Sequence, residues 1–501
     1  MRGQAPFSKR GLTLFLPLAA FAFFAATVHG YGVFRDELYY IACARHLDWG
    51  YVDHPPLVAL IAAVFGPSWV VLRVVSAAAF AATILLVGDT AKEMGGGTFA
   101  RIAAQLLAAT APIYLSLFSI YSMNAIDVLV WAALARIMAR LLTGGDPRWW
   151  VAFGAVAGIG LQNKVDVGLL GVSIVVGLLL ARRFELFRTR WIWIGGALAA
   201  ALFAPHVLWQ ITHGFPTREF VANAQRHKIA GLSALGFLGS QIVMAGPPGC
   251  VASLAGLGWL FGSRTYRALG WAVLAVLAML AFSVSKPYYF SPTYTILFPA
   301  GGVAVEAWTR RRFTAPLRAG AIVLILSVLI AAPLAKPLLS EDRYVRYAEA
   351  LGVSARSDEN HRMGRLPQFF ADMHGWEEMA RSVAHVVEEL SPADRARACV
   401  YGQNYGEAAA IDYFRPSMGL PPAISGHNSY WMWGTGACSG ELIVIIGGDR
   451  EDHLRSFASV EDGGAHVAKD AMPYENDLTI WIARGLKVPL KDAWVASKHY
   501  D

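Results

Sequence analysis

YGVFRDELYYIACARHLDWGYVDHPPL, residues Tyr31–Leu57, sets Asp36, Glu37, Asp48, Asp53 and His54 between two strongly apolar segments. Leu12–Val28 before it reads as a membrane span, and another apolar run starts near Leu57. Acids beside a bilayer are costly unless they face water or act on a substrate. This loop is therefore where the chemistry is expected.

The rest of the chain agrees with a membrane setting. Its 501 residues are 55% hydrophobic and 16% charged, with a mean hydropathy of +0.43, which excludes an ordinary soluble domain for most of its length. Apolar runs long enough to cross a hydrocarbon core of about 30 Å recur near 12–29, 69–88, 102–120, 124–142, 149–162, 166–181, 191–211, 236–261, 267–285, 289–308 and 317–335. The predicted class is a mainly α, polytopic membrane protein of about 11 transmembrane helices (the count read from those runs). Residues 1–339 form its membrane domain, and 340–501, globular in composition, form a soluble extracytoplasmic α/β domain. The first run follows Arg2, Lys9 and Arg10 and is expected to be a retained span rather than a cleaved signal.

Orientation follows from the basic residues. With a cytoplasmic N-terminus, the inside segments hold Arg2, Lys9, Arg10, Lys92, Arg101, Arg136, Arg140, Arg148, Arg182, Arg183, Arg188, Arg190, Arg264, Arg267, Arg310, Arg311, Arg312 and Arg318. This is the positive-inside pattern. It accounts for much of the net charge of +7 without nucleic acid as a partner. An odd number of spans puts the C-terminal domain outside. On the same outer side fall Asp36 and Asp53, then Asp127, Lys164 and Asp166, then His206, Gln210, His213 and Arg218, and last Lys286–Tyr289.

Within the loop, a helix is expected from about Glu37, with Leu38, Ile41, Ala42 and Ala44–Arg45 forming an amphipathic face suited to the membrane interface. Asp36 could cap it, or act as a general base that takes a proton from an acceptor hydroxyl. Glu37, one position on, is the second catalytic candidate, although on a helix it points about 100° away. Asp53 and His54, in the breaker-rich turn GYVDHPP, could contact a polar substrate or a divalent ion. Glu37, Asp53 and His54 are the candidates for such a metal. In the tail, helices are expected at Trp376–Leu390 and Glu407–Phe414 and strands at Ala398–Tyr401 and Glu441–Ile446. Asn404, Glu407, His427, Asn428, Trp431 and Trp433 could bind carbohydrate or simply pack the domain. Cys399 and Cys438, both external, could pair.

The loop pattern D-E-x-Y-Y…H-L…G-Y-x-D-H-P-P-L resembles the first periplasmic loop of the integral-membrane glycosyltransferases of the GT-C class. The branch it resembles holds the protein O-mannosyltransferases and the lipid A aminoarabinose transferases. Ser122–Trp131, GIGLQNKVDVGLL, PHVLWQITHGFPTREF at 205–220 and SKPYYFSPTYTILFPAGG at 285–302 share the likeness, which covers about the first 340 residues. The tail segments YGQNYGEAAAIDYF and PPAISGHNSYWMWG resemble bacterial family 39 glycosyltransferases. The resemblance implies an inverting transfer of a monosaccharide from a polyprenyl-phosphate donor to a lipid, glycan or protein acceptor. It places the enzyme in the inner membrane, with the site on the periplasmic face.

By the same resemblance Asp36 is the base or acceptor-binding acid. The departing phosphate calls for cations, for which Lys286 and Lys164 stand available, then Arg35, Arg45 and Arg218; Tyr288 and Tyr289 could contact phosphate or sugar, and Asp127 the substrate. No phosphate-binding glycine loop is present, which disfavours a nucleotide-sugar donor. The competing class is a transporter or flippase of a lipid-linked sugar, which commonly shows repeated halves; no internal repeat is visible. Reporter fusions after Arg183 are expected to read cytoplasmic, and fusions after Thr217 and Ser340 periplasmic. A cytoplasmic tail would break the convergence of polar residues on one face.

Overall fold

The computed structural model describes residues 9–229, 231–309, 315–355, 359 and 361–501. Arg2, Arg310, Arg311 and Arg312 of the inferred cytoplasmic set lie outside the described residues. The chain forms two compact units: Met1–Gly30, Val70–Leu208 and Ala230–Leu338 make the first, and Tyr31–Trp69, Trp209–Ile229 and Leu339–Asp501 the second.

The first unit is helical. Among the described residues, three helices are long and apolar enough to cross a membrane, Trp69–Glu93, Arg190–Thr212 and Ala234–Gly262. Gly11–Ala26, Trp149–Leu161, Val167–Leu180, Arg267–Ala281 and Ile322–Ala335 are shorter apolar helices. Prolines explain where the expected runs are interrupted. The run at 102–120 divides into Thr98–Thr110 and Pro112–Leu117, because Ala111 before Pro112 turns extended, at φ −62° and ψ 122°. Ala234–Gly262 is broken at Gly246, whose φ of 72° precedes Pro247 and Pro248. The run at 289–308 begins as the 3₁₀ turn Pro287–Thr293 and becomes α-helical at Tyr294–Thr309.

Close backbone approach holds this unit together. A Cβ on Gly256 would lie 2.6 Å from Gly301 N, and one on Gly301 would lie 2.4 Å from Ala252 O. Only glycine lets Ala234–Gly262 and Tyr294–Thr309 meet so closely, which is how helices associate where lipid offers no hydrophobic driving force. Several of the arginines read as cytoplasmic are paired here: Arg101 and Arg136 reach Asp89 at 2.9 and 3.3 Å, and Arg140 hydrogen-bonds Glu93.

In the second unit the loop is not an interfacial strip. Its helix, Arg35–Arg45, buries Leu38, Tyr39, Tyr40, Ile41, Ala42 and Cys43. Leu38, Tyr39, Ala42 and Cys43 join one core with Trp376, Met379, Val383, Val400, Tyr405, Ala408, Ile411 and Val444. The expectation of a membrane-surface helix is therefore corrected: the apolar positions face protein on most sides. The apolar piece that follows forms Leu57–Phe65, whose nine residues span about 14 Å and cannot cross a bilayer.

The tail supplies a five-stranded mixed sheet: β1 Ala398–Tyr401, β2 Ala423–Ile424, β3 Leu442–Ile446, β4 Phe457–His466 and β5 Leu478–Leu486, in the order β2-β1-β3-β5-β4. β1 runs parallel to β2 and β3, and β5 runs antiparallel to β3 and β4. The helices Trp376–Glu389 and Tyr405–Met418 contribute to its core. Cys399 and Cys438 form a disulfide with Cα atoms 5.7 Å apart. Gly301→Ala is expected to lower the melting temperature of the detergent-purified protein, since overpacking costs about 1–3 kcal/mol. Gly171→Ala, where a Cβ meets nothing within 4 Å, serves as the control that retains it.

Candidate active site

The helix Arg35–Arg45 starts two residues earlier than expected, with Phe34 as its N-cap. Phenylalanine has no oxygen with which to cap. Glu37 supplies the acid instead: its Oε2 accepts the Phe34 N–H at 2.8 Å, and the side chain is fully buried. Asp36 is thereby released from the capping role. It lies in the first helical turn, where a carboxylate complements the positive end of the helix dipole.

Asp36 is 34% exposed on a helix that is otherwise largely buried. Its Oδ1 accepts a hydrogen bond from the Tyr405 hydroxyl at 2.9 Å and lies 3.7 Å from Arg35 Nε. Among the described residues no partner holds Oδ2. Asp53 is held in a parallel way, its Oδ1 accepting from the Tyr39 hydroxyl at 2.9 Å. The Tyr39 and Tyr405 rings lie 4.6 Å apart, so the two carboxylates are carried by neighbouring rings.

Arg35, a candidate for the donor phosphate, is committed inside the second unit. It is 9% exposed, with Nη1 donating to the Tyr474 hydroxyl at 2.8 Å and Nη2 lying 3.5 Å from Asp372 Oδ2. Its guanidinium also stands 5.5 Å from the Tyr405 ring centre, and its backbone N–H donates to Asp372 O. Arg45, exposed, donates to Asp412 O at 2.8 Å. Arg218, on the helix Pro216–Asn223, is exposed.

Burial controls the acids behind Asp36. The Asp372 carboxyl is pushed up to about 6 by burial, against the lowering effect of Arg35. Burial, then the nearby Glu475, raises Glu407, which accepts from Gln403 N and from Asn404 Nδ2. Asn404 Nδ2 also donates to Glu475 at 2.8 Å, and its Oδ1 caps the helix Tyr405–Met418. The aromatic part of the suspected carbohydrate set is half-buried: Trp433 stacks on His46 at 4.2 Å, and the Trp431 indole donates to Trp494 O.

His54 is 1% exposed. Its Nδ1 sits 2.8 Å from Pro55 O and its Nε2 3.7 Å from Cys43 Sγ, while the Tyr39, Tyr40 and Tyr51 rings surround it. Glu37, Asp53 and His54 do not converge as metal ligands. Among the described residues the one such grouping is His427, His499 and Asp501. There His427 Nδ1 accepts from Tyr405 N and Nε2 faces Asp501 O, and both His499 nitrogens face carbonyl oxygens. These residues already have partners, and they do not fit a metal centre.

In the first unit, the structure joins Asp127, Lys164 and Tyr289. Lys164 Nζ lies 2.8 Å from Asp166, 3.7 Å from Asp127 and 5.0 Å from the Tyr289 ring centre. Asp127 is fully buried in the helix Met123–Leu142, and Asn163 pins the Lys164 turn by donating to Met123 O at 2.8 Å. Tyr288 packs edge-on to Tyr289 at 4.8 Å. Lys286 stands at the N-cap position of the 3₁₀ turn Pro287–Thr293 and is half-buried. Tyr39 and Tyr405 were missed as functional residues. Both lie in the motifs DELYY and YGQNYGE, but their hydroxyl partners sit 14 and 369 positions away.

Residues 53–209 match the family model of dolichyl-phosphate-mannose-protein mannosyltransferases. Among solved structures, ArnT from Cupriavidus metallidurans bound to undecaprenyl phosphate is similar at 14% identity and a TM-score of 0.61, covering 93% of this chain and 97% of that one. The apo state of the same protein matches with the same values. No curated protein matches the chain in sequence. The fold is therefore ArnT-like over nearly the whole chain. The family match to residues 53–209 agrees with the resemblance carried by the loop.

The raised Asp372 has a measurable consequence. The folded protein binds this proton more tightly than the unfolded chain, so the stability it contributes is complete below about pH 4 and is lost as pH rises through about 6. Asp372→Asn cannot titrate. Thermal unfolding across this window should move in favour of the variant by up to about 1.4 kcal/mol per pH unit; parallel pH curves for the two proteins would contradict this.

Proposed function

We propose that this chain transfers a monosaccharide, with inversion, from a polyprenyl-phosphate donor to an acceptor on the outer face of the inner membrane. The single observation that carries the reading is Asp36. It is a carboxylate at the start of a buried helix, exposed on one side, with one oxygen held by the Tyr405 hydroxyl and 3.7 Å from Arg35, and the other without a protein partner among the described residues. A general base needs this arrangement: a fixed orientation and an oxygen open to the acceptor's proton. Glu37 next to it is spent on the helix start.

The remaining groups take complementary roles. Lys286 and Lys164 offer positive charge for the phosphate as the sugar–phosphate bond breaks, and stabilisation of such developing charge is worth about 2–4 kcal/mol per contact. Lys164 lies beside two carboxylates, which neutralise part of its charge. Tyr288 and Tyr289 line the same segment, Asp127 sets the position of Lys164, and Asp53 contacts the sugar or acceptor. Arg218, exposed on its helix, is available to attract the anionic headgroup. The apolar helices of the first unit suit a donor whose tail stays in lipid.

The test is turnover by the purified full chain in lipid nanodiscs, supplied with undecaprenyl-phosphate-linked hexoses and pentoses and with envelope lipid and peptide acceptors. Asp36→Asn, which keeps the size and can still accept from Tyr405, should fold normally and lose about 10²–10⁴-fold in kcat, the range of a positioned base. Glu37→Gln should act on folded yield more than on kcat. An active Asp36→Asn enzyme would remove the base from this mechanism.

A further inference from the structure

Two hydroxyls from distant parts of the second unit hold the loop's two half-buried carboxylates, Asp36 and Asp53, and one short turn holds both hydroxyl-bearing residues. Tyr405 begins the helix Tyr405–Met418. Its backbone N–H donates to His427 Nδ1 at 3.3 Å, and its ring lies 4.9 Å from that imidazole. Tyr39 is fastened at the other side of the turn: Ser429 Oγ lies 2.8 Å from its hydroxyl, and Ser429 N donates to it. Ser429 Oγ also accepts from Val52 N at 3.2 Å, which fixes the backbone next to Asp53. Between these contacts Asn428 holds φ at +48°, a conformation that non-glycine residues adopt at a cost and that persists where the surroundings impose it. Ser429 and Asn428 are each 1% exposed.

From this geometry we infer that Tyr405 is a positioning residue for the transfer reaction. Its hydroxyl orients Asp36 so that Oδ2 faces the acceptor, and the His427–Ser429 turn holds Tyr405 and Tyr39 in register. The inference rests on Asp36 as the base. A carboxylate can rotate about its Cβ–Cγ bond, and without a donor on Oδ1 it would divide its time among orientations of which few suit proton transfer. Arg35 cannot replace the donor. Its Nε is 3.7 Å from Oδ1, beyond hydrogen-bond range, and its Nη groups point to Tyr474 and Asp372. The tail would then be part of the catalytic apparatus rather than an appended module.

The experiment compares Tyr405→Phe with Tyr430→Phe in the nanodisc assay. Tyr430 is the matched control: it is buried in the same core, and its hydroxyl donates to a carboxylate, Asp412, at 2.9 Å. Phenylalanine at 405 keeps the ring against Tyr39 and Arg35 and removes only the donor. Tyr405→Phe should lower kcat about 10- to 100-fold with KM nearly unchanged and a melting temperature no lower than that of Tyr430→Phe. Tyr430→Phe should retain wild-type kcat. Wild-type kcat in Tyr405→Phe, a rise in KM alone, or an equal loss of kcat in Tyr430→Phe would each overturn the inference. Asp36→Asn in the same assay separates the two levels. If it is active, the base assignment fails; if it is inactive while Tyr405→Phe is fully active, only the positioning role fails.

Discussion

Arg35 carries a charge at every accessible pH and lies nine-tenths buried at the first turn of its helix. A guanidinium removed from water must be paired and hydrogen-bonded, or it costs several kcal/mol. Asp372 and Asp36 supply the opposite charge, the Tyr474 hydroxyl accepts a hydrogen bond and the Tyr405 ring adds a π face, while Nε makes no hydrogen bond among the described residues. These partners come from 36, 372, 405 and 474, so satisfying one side chain draws the loop and three segments of the tail to one place. The candidate base is a by-product of this pairing. It is the carboxylate nearest the guanidinium that burial does not also claim.

Burial then divides the acids by role. Asp372, Glu407 and Glu475 are almost completely buried, and desolvation raises all three above the ordinary carboxylate range. They answer a cation and a helix start, and they are inaccessible to a substrate. Asp36 and Asp53 remain partly exposed, and each receives a single tyrosine hydroxyl. A neutral donor on one oxygen fixes direction while leaving the negative charge in place, whereas a second cation in contact would weaken the group as a base.

The helical unit meets a different requirement. Its helices approach through glycines such as Gly256 and Gly301, and at Gly154 and Gly195, where an added Cβ would fall within 2.1 Å of the opposing backbone. Such contacts depend on small residues, because lipid competes equally well for large apolar side chains. The buried Asp127 and the turn bearing Lys164 are held within this packing, so the positive charge is placed by rigid helices rather than by a mobile loop.

The sequence by itself determined the mainly helical, apolar character of the first unit and carried the resemblance in the DELYY…DHPPL loop, because the length of an apolar run and a short motif are local properties. It also showed the tail helix at Trp376 and the strands at Ala398 and Leu442, whose periodicity and β-rich composition are carried within a few residues. The strands β4 and β5 were not legible: FASVEDGGAH mixes polar residues with two glycines and LTIWIARGL is half-exposed, and pairing with each other and with β3 makes them strands. The same limit applies to the site. Asp36 and Glu37 are adjacent carboxylates that sequence treats alike, and the loop was read as lying on the membrane surface. Tertiary structure decided that Glu37 caps, that the helix is core, and that Tyr405 reaches Asp36 across 369 positions. A hydrogen bond of 2.9 Å is set by three-dimensional proximity, and no local pattern in the chain encodes which distant hydroxyl will arrive there.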